Sequence, residues 1–256
     1  KNMEDFREEI LNNESIIEIA CGLGRLLLQN GAETYRVEET IKRTFAHYGI
    51  KGNSFATLNT IITSMEYPSG NKYSKIERIE NRTLNLEKVH ELNSIARNLE
   101  KYSIKEIEIK LKEIEESNKL TFLKKLLGNI LVGGAFAILF KGGYRDSIVA
   151  SISAIFLTVI DKFTAHLHLN SFFTNFIGGM VTTIVSIIFF KIGFISNFSI
   201  SIISTLMLLV PGISFTNSIR DIVSGDFVSG LSRGIEAVSV GIALASGSGV
   251  VLSIFI

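Results

Sequence analysis

The chain has 256 residues, of which 46% are hydrophobic and 20% charged, and its net charge is +1. Residues 1–125 hold 20 basic and 20 acidic residues, whereas residues 126–256 hold only six and five. The first half therefore has the composition of a soluble domain and the second half that of a membrane domain. Because neither half carries an excess of Lys and Arg, the charge balance argues against nucleic acid as a partner.

Two amphipathic helices are predicted near the start of the chain. Apolar residues recur at spacings of three and four over about 13–29, and Asn30-Gly31 would end that helix. A second helix is predicted from about Ala32 to Gly49. Cys21, the one cysteine, lies on the apolar face of the first helix, so we expect a packed thiol and neither a disulfide nor a metal framework.

The next stretch predicts a hairpin followed by a return to helix. Residues 54–67 are rich in Thr, Ile and aromatic residues, residues 68–71 form a turn cluster, and residues 73–79 alternate in polarity. Helical periodicity then extends over about 84–119. We therefore predict a soluble α+β domain, made of helices plus a small antiparallel hairpin or sheet, over residues 1–120.

The second half predicts a membrane domain over residues 121–256. Five uncharged runs can be distinguished: 126–140, 147–160, 163–190, 192–219 and 237–256. Since crossing a ~30 Å hydrocarbon core takes roughly 20 apolar residues, the last three runs suffice alone. The first two either cross with help from flanking basic residues or turn back at Gly142-Gly143. The fold class is thus an α-helical membrane protein with five transmembrane helices behind a soluble domain.

Small residues in these runs predict close helix packing, as in membrane bundles. They are Gly133, Gly134, Gly178, Gly179, Gly241, Gly247 and Gly249. His166 and His168, which follow Lys162 near the start of the third run, suit the membrane interface better than a proton relay.

The stretch 208–236 combines helix breakers with charge. Pro211-Gly212 should break any helix that reaches it. Ionisable and polar residues near such a break are candidate substrate-binding or coupling residues. We single out Pro211, Gly212, Asn217, Arg220, Asp221, Asp226, Arg233 and Glu236. The alternatives are an interfacial loop or a set of ions that lock two helix ends together.

A second charged run, GAETYRVEET, follows the first predicted helix. It places Glu33, Arg36, Glu38 and Glu39 just after Gly31. Paired carboxylates there could support acid–base chemistry or hold a cation, but a helix face with local ion pairs explains the pattern more simply. His47 and His90 lack the spacing of a metal site, and no nucleophile elbow, phosphate loop or triad spacing is present. We expect no enzyme activity, no metal and no cofactor.

The charged start KNMEDFREEI lacks the apolar core of a signal peptide, which predicts that residues 1–120 stay on the side of the membrane where they are made.

Two stretches resemble the threonine/serine exporter family: GLGRLLLQNGAETYRVEET, and VPGISFTNSIRDIVSGDFVSGLSRGIEA with the Gly/Ala/Ser-rich run behind it. The resemblance covers nearly all of the chain and implies a cytoplasmic domain before a five-span segment. In the family a second five-span segment either follows in the same polypeptide or is a separate protein. This chain, with five predicted spans, resembles the split form.

The resemblance implies a secondary exporter of small hydrophilic metabolites, with a second five-span membrane subunit as partner and a homo-oligomer of the pair as a further arrangement. Threonine and serine are the first substrates to expect, and four-carbon dicarboxylates such as succinate are the alternative. A membrane-anchored hydrolase or a sensor, whose partner forms the pathway, is the remaining hypothesis.

Overall fold

A computed structural model of the chain describes residues 3–66, 70, 72–117, 121–167 and 169–255. Contacts divide the chain into two units. The first unit comprises Lys1–Ser117 together with Thr216–Gly234, and the second comprises Asn118–Phe215 together with Ile235–Ile256. A segment from the charged stretch 208–236 thus belongs to the same unit as the N-terminal half.

The first unit opens with two helices packed around one apolar core. Helix α1 spans Met3–Gln29 and α2 spans Thr34–His47, so α1 begins earlier than the sequence predicts. Leu23 and Leu27 of α1 pack with Val37 and Ile41 of α2. Cys21 is fully buried in the same core, as expected, and burial raises the pKa of its thiol to about 11.

A three-stranded antiparallel sheet follows, where the sequence predicts a hairpin. Strands β1 (Lys51–Ala56), β2 (Thr60–Glu66) and β3 (Lys72–Arg78) pair in that order. The stretch 54–67, predicted as one part of that hairpin, is divided by a tight turn, in which the Thr57 N–H donates to the Thr60 carbonyl at 2.8 Å. The predicted turn cluster 68–71 lies outside the described residues except for Gly70.

Two helices occupy the region that the periodicity predicts as one. Helix α3 spans Leu86–Arg97 and α4 spans Ile104–Glu116, with a single 3₁₀ turn between them. Helix α4 starts afresh because Ser103 and Glu106 form a capping box. The seam of Ile107, Leu111 and Ile114 is buried, as their spacing predicts, and closes the core of the first unit.

The second unit contains long apolar helices. Among the described residues, four helices are long and apolar enough to cross a membrane: α5 (Phe122–Leu139), α6 (Tyr144–His166), α7 (Ser171–Lys191) and α10 (Phe227–Phe255). The first two predicted runs are therefore extended by their charged flanks into helices of 18 and 23 residues. His166 is the last residue of α6, and His168 lies outside the described residues.

The predicted span 192–219 is not one helix. Helix α8 covers Phe198–Leu206, and α9 covers Gly212–Val223. At 1.5 Å per residue, the nine residues of α8 extend about 14 Å, less than half of a bilayer core. The break includes Pro211, as predicted, because proline has no N–H for the helix and clashes with the preceding turn. The run is thus divided between two helices, and the count of five crossings stays a prediction.

Close packing in the second unit uses most of the predicted small residues. A Cβ added to Gly133 would lie 3.1 Å from the Ala150 carbonyl oxygen, and one added to Gly179 would lie 2.5 Å from that of Leu244. Gly247 approaches the Phe176 carbonyl in the same way. Gly241 and Gly249 have nothing within 4 Å among the described atoms, so these atoms supply no helix that packs on them, and their packing role stays a prediction.

Candidate functional site

The loop between α1 and α2 is one side of the candidate site. Gly31 has φ +94°, a conformation that glycine adopts without strain, and the N–H of Ala32 donates to the Leu27 carbonyl at 3.0 Å. This arrangement ends α1 and turns the chain into α2 within four residues. Glu33 then stands at the N-cap of α2, where its carboxylate makes no capping bond and is available to other partners.

The segment 216–234 is the other side of the site. After α9, Gly225 adopts φ +91°, and the Asp226 carboxylate accepts the Ser229 N–H at 3.2 Å, which starts α10. Helices α9 and α10 approach closely where the Ser218 hydroxyl donates to the Gly230 carbonyl at 2.6 Å. A Cβ at position 230 would lie 2.9 Å from backbone atoms of α9, so the approach requires glycine.

Three side chains of this segment bind the backbone of the loop. Asn217 Nδ2 donates to the Gly31 carbonyl at 3.1 Å, and Arg233 Nη2 donates to the Ala32 carbonyl at 3.3 Å. The N–H of Thr34, in the first turn of α2, donates to Asp221 Oδ1 at 3.3 Å. Loop groups that lie outside the helical bonding pattern thereby gain partners.

Two ion pairs complete the arrangement. Arg220 Nη1 lies 2.9 Å from Glu33 Oε1, and Arg233 Nε lies 3.2 Å from Asp221 Oδ2. We call the ensemble the charged clasp. It consists of the loop residues Gly31, Ala32, Glu33 and Thr34 with Asn217, Arg220, Asp221 and Arg233.

The charges of the clasp are balanced and mostly buried. Glu33, Asp221 and Arg233 are 5%, 0% and 6% exposed, and they are the buried charged side chains among the described residues. Such groups are stable out of water only when paired. Burial raises the pKa of the Asp221 carboxyl, while the charge of Arg233 and the hydrogen bond from Thr34 oppose that increase.

The remaining predicted site residues near the clasp have other surroundings. Arg36 touches its edge, with Nε 3.5 Å from Glu33 Oε2. Glu38 Oε1 accepts the Ala56 N–H at 2.7 Å and so ties α2 to the sheet. Burial raises the pKa of Glu38, an increase that this hydrogen bond opposes and the nearby charge of Asp226 reinforces.

Three other predicted residues take no part in the described contacts of the clasp. Pro211 lies in the break before α9, Gly212 begins that helix, and Glu236 lies exposed in α10. Sequence reasoning missed Ser218 and Gly230. Gly230 and Gly234, four residues apart, could have indicated the close helix approach.

The described residues contain no group of three or more His, Cys, Asp or Glu side chains that could hold a metal ion. The clasp has two carboxylates, but a guanidinium faces each of them. Chemically, the arrangement can hold a loop against two helices and release it when a charge is lost or displaced.

Comparison with known proteins relates the chain to transporters. The model of the family described as "Putative threonine/serine exporter" matches residues 18–255. A Corynebacterium glutamicum protein named "Threonine/serine exporter" is 26% identical over 250 residues, which cover 93% of this chain and 51% of that protein. The chain thus spans about half the length of that relative.

Other relatives match over nearly their whole length. An Escherichia coli K12 protein named "Probable succinate transporter subunit YjjP" is 24% identical over 93% of this chain and 92% of its own. A Klebsiella aerogenes protein of the same name is also 24% identical, over 92% of this chain and 90% of its own. No solved structure matches the chain significantly.

Proposed function

The chain belongs to the threonine/serine exporter family, and from this premise we propose that it is one subunit of a secondary exporter of small hydrophilic metabolites. The observation that carries the proposal is the family match over residues 18–255, which includes the four long apolar helices. Threonine- and serine-type amino acids are the first substrates to test, in line with the name of the Corynebacterium relative.

A four-carbon dicarboxylate is the second candidate substrate. The relatives that match this chain over about nine tenths of their length carry the name of a succinate transporter subunit. Taken together with the Corynebacterium exporter, these relatives support a two-component arrangement, because this chain matches about half of the longer exporter and nearly all of the proteins named as subunits. We propose a second membrane subunit as partner, and five crossings in this one.

We propose that the charged clasp is a coupling element of the exporter and that it does not contact the substrate. Its two arginines and two carboxylates already pair with one another, and its polar groups hold the loop between α1 and α2. A substrate carboxylate would have to displace Glu33 or Asp221 to reach a guanidinium. The site residues chosen from the sequence therefore suit a connection between the 216–234 segment and the N-terminal half better than a substrate-binding role.

Buried hydroxyls are the proposed substrate contacts. Within the described residues of the second unit no charged side chain is buried, whereas many Ser and Thr side chains are. The hydroxyls of Ser153, Thr182 and Ser186 are buried without a hydrogen bond to any described residue. A polar substrate would supply the missing partners, since unsatisfied buried polar groups are costly.

The proposed placement is a bacterial inner membrane with residues 1–120 in the cytoplasm, and the chain is proposed to have no enzyme activity. Cells that express the chain with and without a candidate second subunit would be loaded with labelled threonine, serine or succinate, and efflux measured. Efflux that needs both chains supports the proposal. Labelled-substrate retention identical to that of empty cells, with both chains present in the membrane, would overturn it.

A further inference from the structure

A polar cleft lies between α2 and α3 of the first unit, outside the charged clasp. Its volume is about 270 Å³. Arg36, Thr40 and Arg43 contribute from one face of α2, at helical spacings of three and four. Ala96 and Arg97 contribute from α3. Thr40 and Ala96 are buried and form the floor, while the three arginines are exposed and form the walls.

The cleft has an excess of positive charge. Three guanidiniums line it with one carboxylate, Glu39, which pairs with Arg43 at 3.0 Å along the same helix. Such an exposed i,i+4 pair is weak, so Arg43 can turn towards a ligand at little cost. Arg97 makes no side-chain hydrogen bond or ion pair with the part of the chain that the structure describes.

We propose that this cleft binds a small organic or inorganic dianion carrying carboxylate or phosphate groups. Planar guanidiniums form paired, charge-assisted hydrogen bonds with both groups. Three guanidiniums around a small cleft match a ligand with two negative charges better than a ligand with one. The volume suits a compact metabolite and is below the usual range for drug-sized ligands.

Arg36 joins the cleft to the charged clasp. Its Nε lies 3.5 Å from Glu33 Oε2, while the other oxygen of Glu33 lies 2.9 Å from Arg220 Nη1. An anion in the cleft draws Arg36 away from Glu33 and leaves that carboxylate to Arg220. Binding therefore tightens the clasp, and its effect on export rests on the function proposed above.

Calorimetric titration of the full chain in lipid nanodiscs tests the site without any transport assay. At pH 8, succinate and inorganic phosphate are the two dianion probes, which separate carboxylate from phosphate recognition, and acetate is the monoanion control. We expect at least one dianion to bind at least about ten-fold more tightly than acetate, because a second charge adds charge-assisted hydrogen bonds. Raising the salt concentration should weaken the binding.

Two cleft variants and one matched control locate the binding. Arg43→Gln and Arg97→Gln should each weaken it by about ten-fold or more, the loss expected from one charge-assisted contact. Arg78→Gln removes an exposed arginine of β3 outside the cleft and should leave the affinity within about two-fold. Dianion binding that is absent, no tighter than that of acetate, or unchanged in both cleft variants would overturn the site, whether or not the chain exports anything.

Hydrogen exchange tests the link to the clasp. With the dianion bound, backbone amides of 32–37 and 216–224 should exchange more slowly, and the change should disappear in Arg36→Gln. Slower exchange confined to the cleft helices would overturn the link.

Discussion

Glu33 and Arg220 are 187 positions apart in the chain, yet Oε1 of the first lies 2.9 Å from Nη1 of the second. Glu33 is 7% exposed at its side chain and Arg220 is 55% exposed, so the pair spans the boundary between the core and the surface. A pair of this kind can open without unfolding the helices that carry it, which is what a coupling element needs.

The first prediction concerns this pair and export. Glu33→Gln keeps the shape of the side chain but removes the charge that holds Arg220, so efflux should fall at least about five-fold, the lower end of typical coupling effects. Glu80→Gln, which removes an exposed carboxylate of the first unit outside both the clasp and the cleft, should leave efflux nearly unchanged. Equal efflux from both variants, at equal membrane levels, would contradict the coupling role.

The second prediction concerns the buried pair of Asp221 and Arg233. Arg233→Met leaves the Asp221 carboxylate buried without its guanidinium, and the free energy of unfolding should fall by about 3 kcal/mol. Adding Asp221→Asn removes the uncompensated charge and keeps an acceptor for the Thr34 N–H, so much of the loss should return. Denaturant unfolding in detergent micelles measures both. A double variant as unstable as the sum of its single variants would show that the pair is not coupled.

The third prediction concerns Gly31. An added Cβ would lie 2.8 Å from Leu84 Cδ1 at a positive φ, so Gly31→Ala should lower the free energy of unfolding by about 2 kcal/mol or more. Gly49 also has a positive φ but nothing within 4 Å of an added Cβ, so Gly49→Ala should cost only about 1 kcal/mol. The difference between the two variants isolates the close approach at the clasp loop. Equal losses would mean that Leu84 moves away freely.

The fourth prediction concerns buried hydroxyls of the second unit. Ser153→Ala and Ser186→Ala remove hydroxyls that make no hydrogen bond to any described residue, so stability should stay constant or rise by about 1 kcal/mol while efflux falls. The matched control is Ser204→Ala. That hydroxyl donates to the Ile200 carbonyl at 2.6 Å, so its loss should cost stability. If Ser153→Ala and Ser186→Ala export normally, neither hydroxyl contacts the substrate.

The fifth prediction concerns pH and the contact between α1 and α4. Hydrogen bonding to Arg25 holds the pKa of Glu115 below its usual value, with Nη1 of Arg25 2.6 Å from Oε1. Since the folded pKa is the lower one, the pair stabilises above the unfolded pKa of about 4.3, and this contribution disappears as pH falls through the folded pKa.

The pair is partly exposed, so its contribution should stay below about 1 kcal/mol. Between pH 6 and pH 3, Glu115→Gln should lose less stability than the unsubstituted chain, whereas Glu116→Gln should lose as much. A pH profile of Glu115→Gln that coincides with that of the unsubstituted chain would show that this contact carries no proton linkage.

Local patterns predicted the elements with strong periodicity. The apolar spacing of α1, α2 and α4 marks their buried faces, and long uncharged runs mark α5, α6 and α7. The helix start at Ser103 was missed, although Ser103 and Glu106 stand at the spacing of a capping box, a pattern that can be recognised in the sequence. The turn at Thr57, which separates β1 from β2, was missed as well.

By itself the sequence determined that the chain has a charged half and an apolar half, that Pro211 breaks a helix, and that two charged motifs stand apart from both patterns. Only the tertiary structure decided that these motifs meet. Pairing Glu33 with Arg220, or Asn217 with the Gly31 carbonyl, depends on how segments nearly 190 residues apart pack, and neither period nor composition encodes that distance. Charged residues can be read from the sequence, but tertiary packing determines which partner allows a charged side chain to be buried.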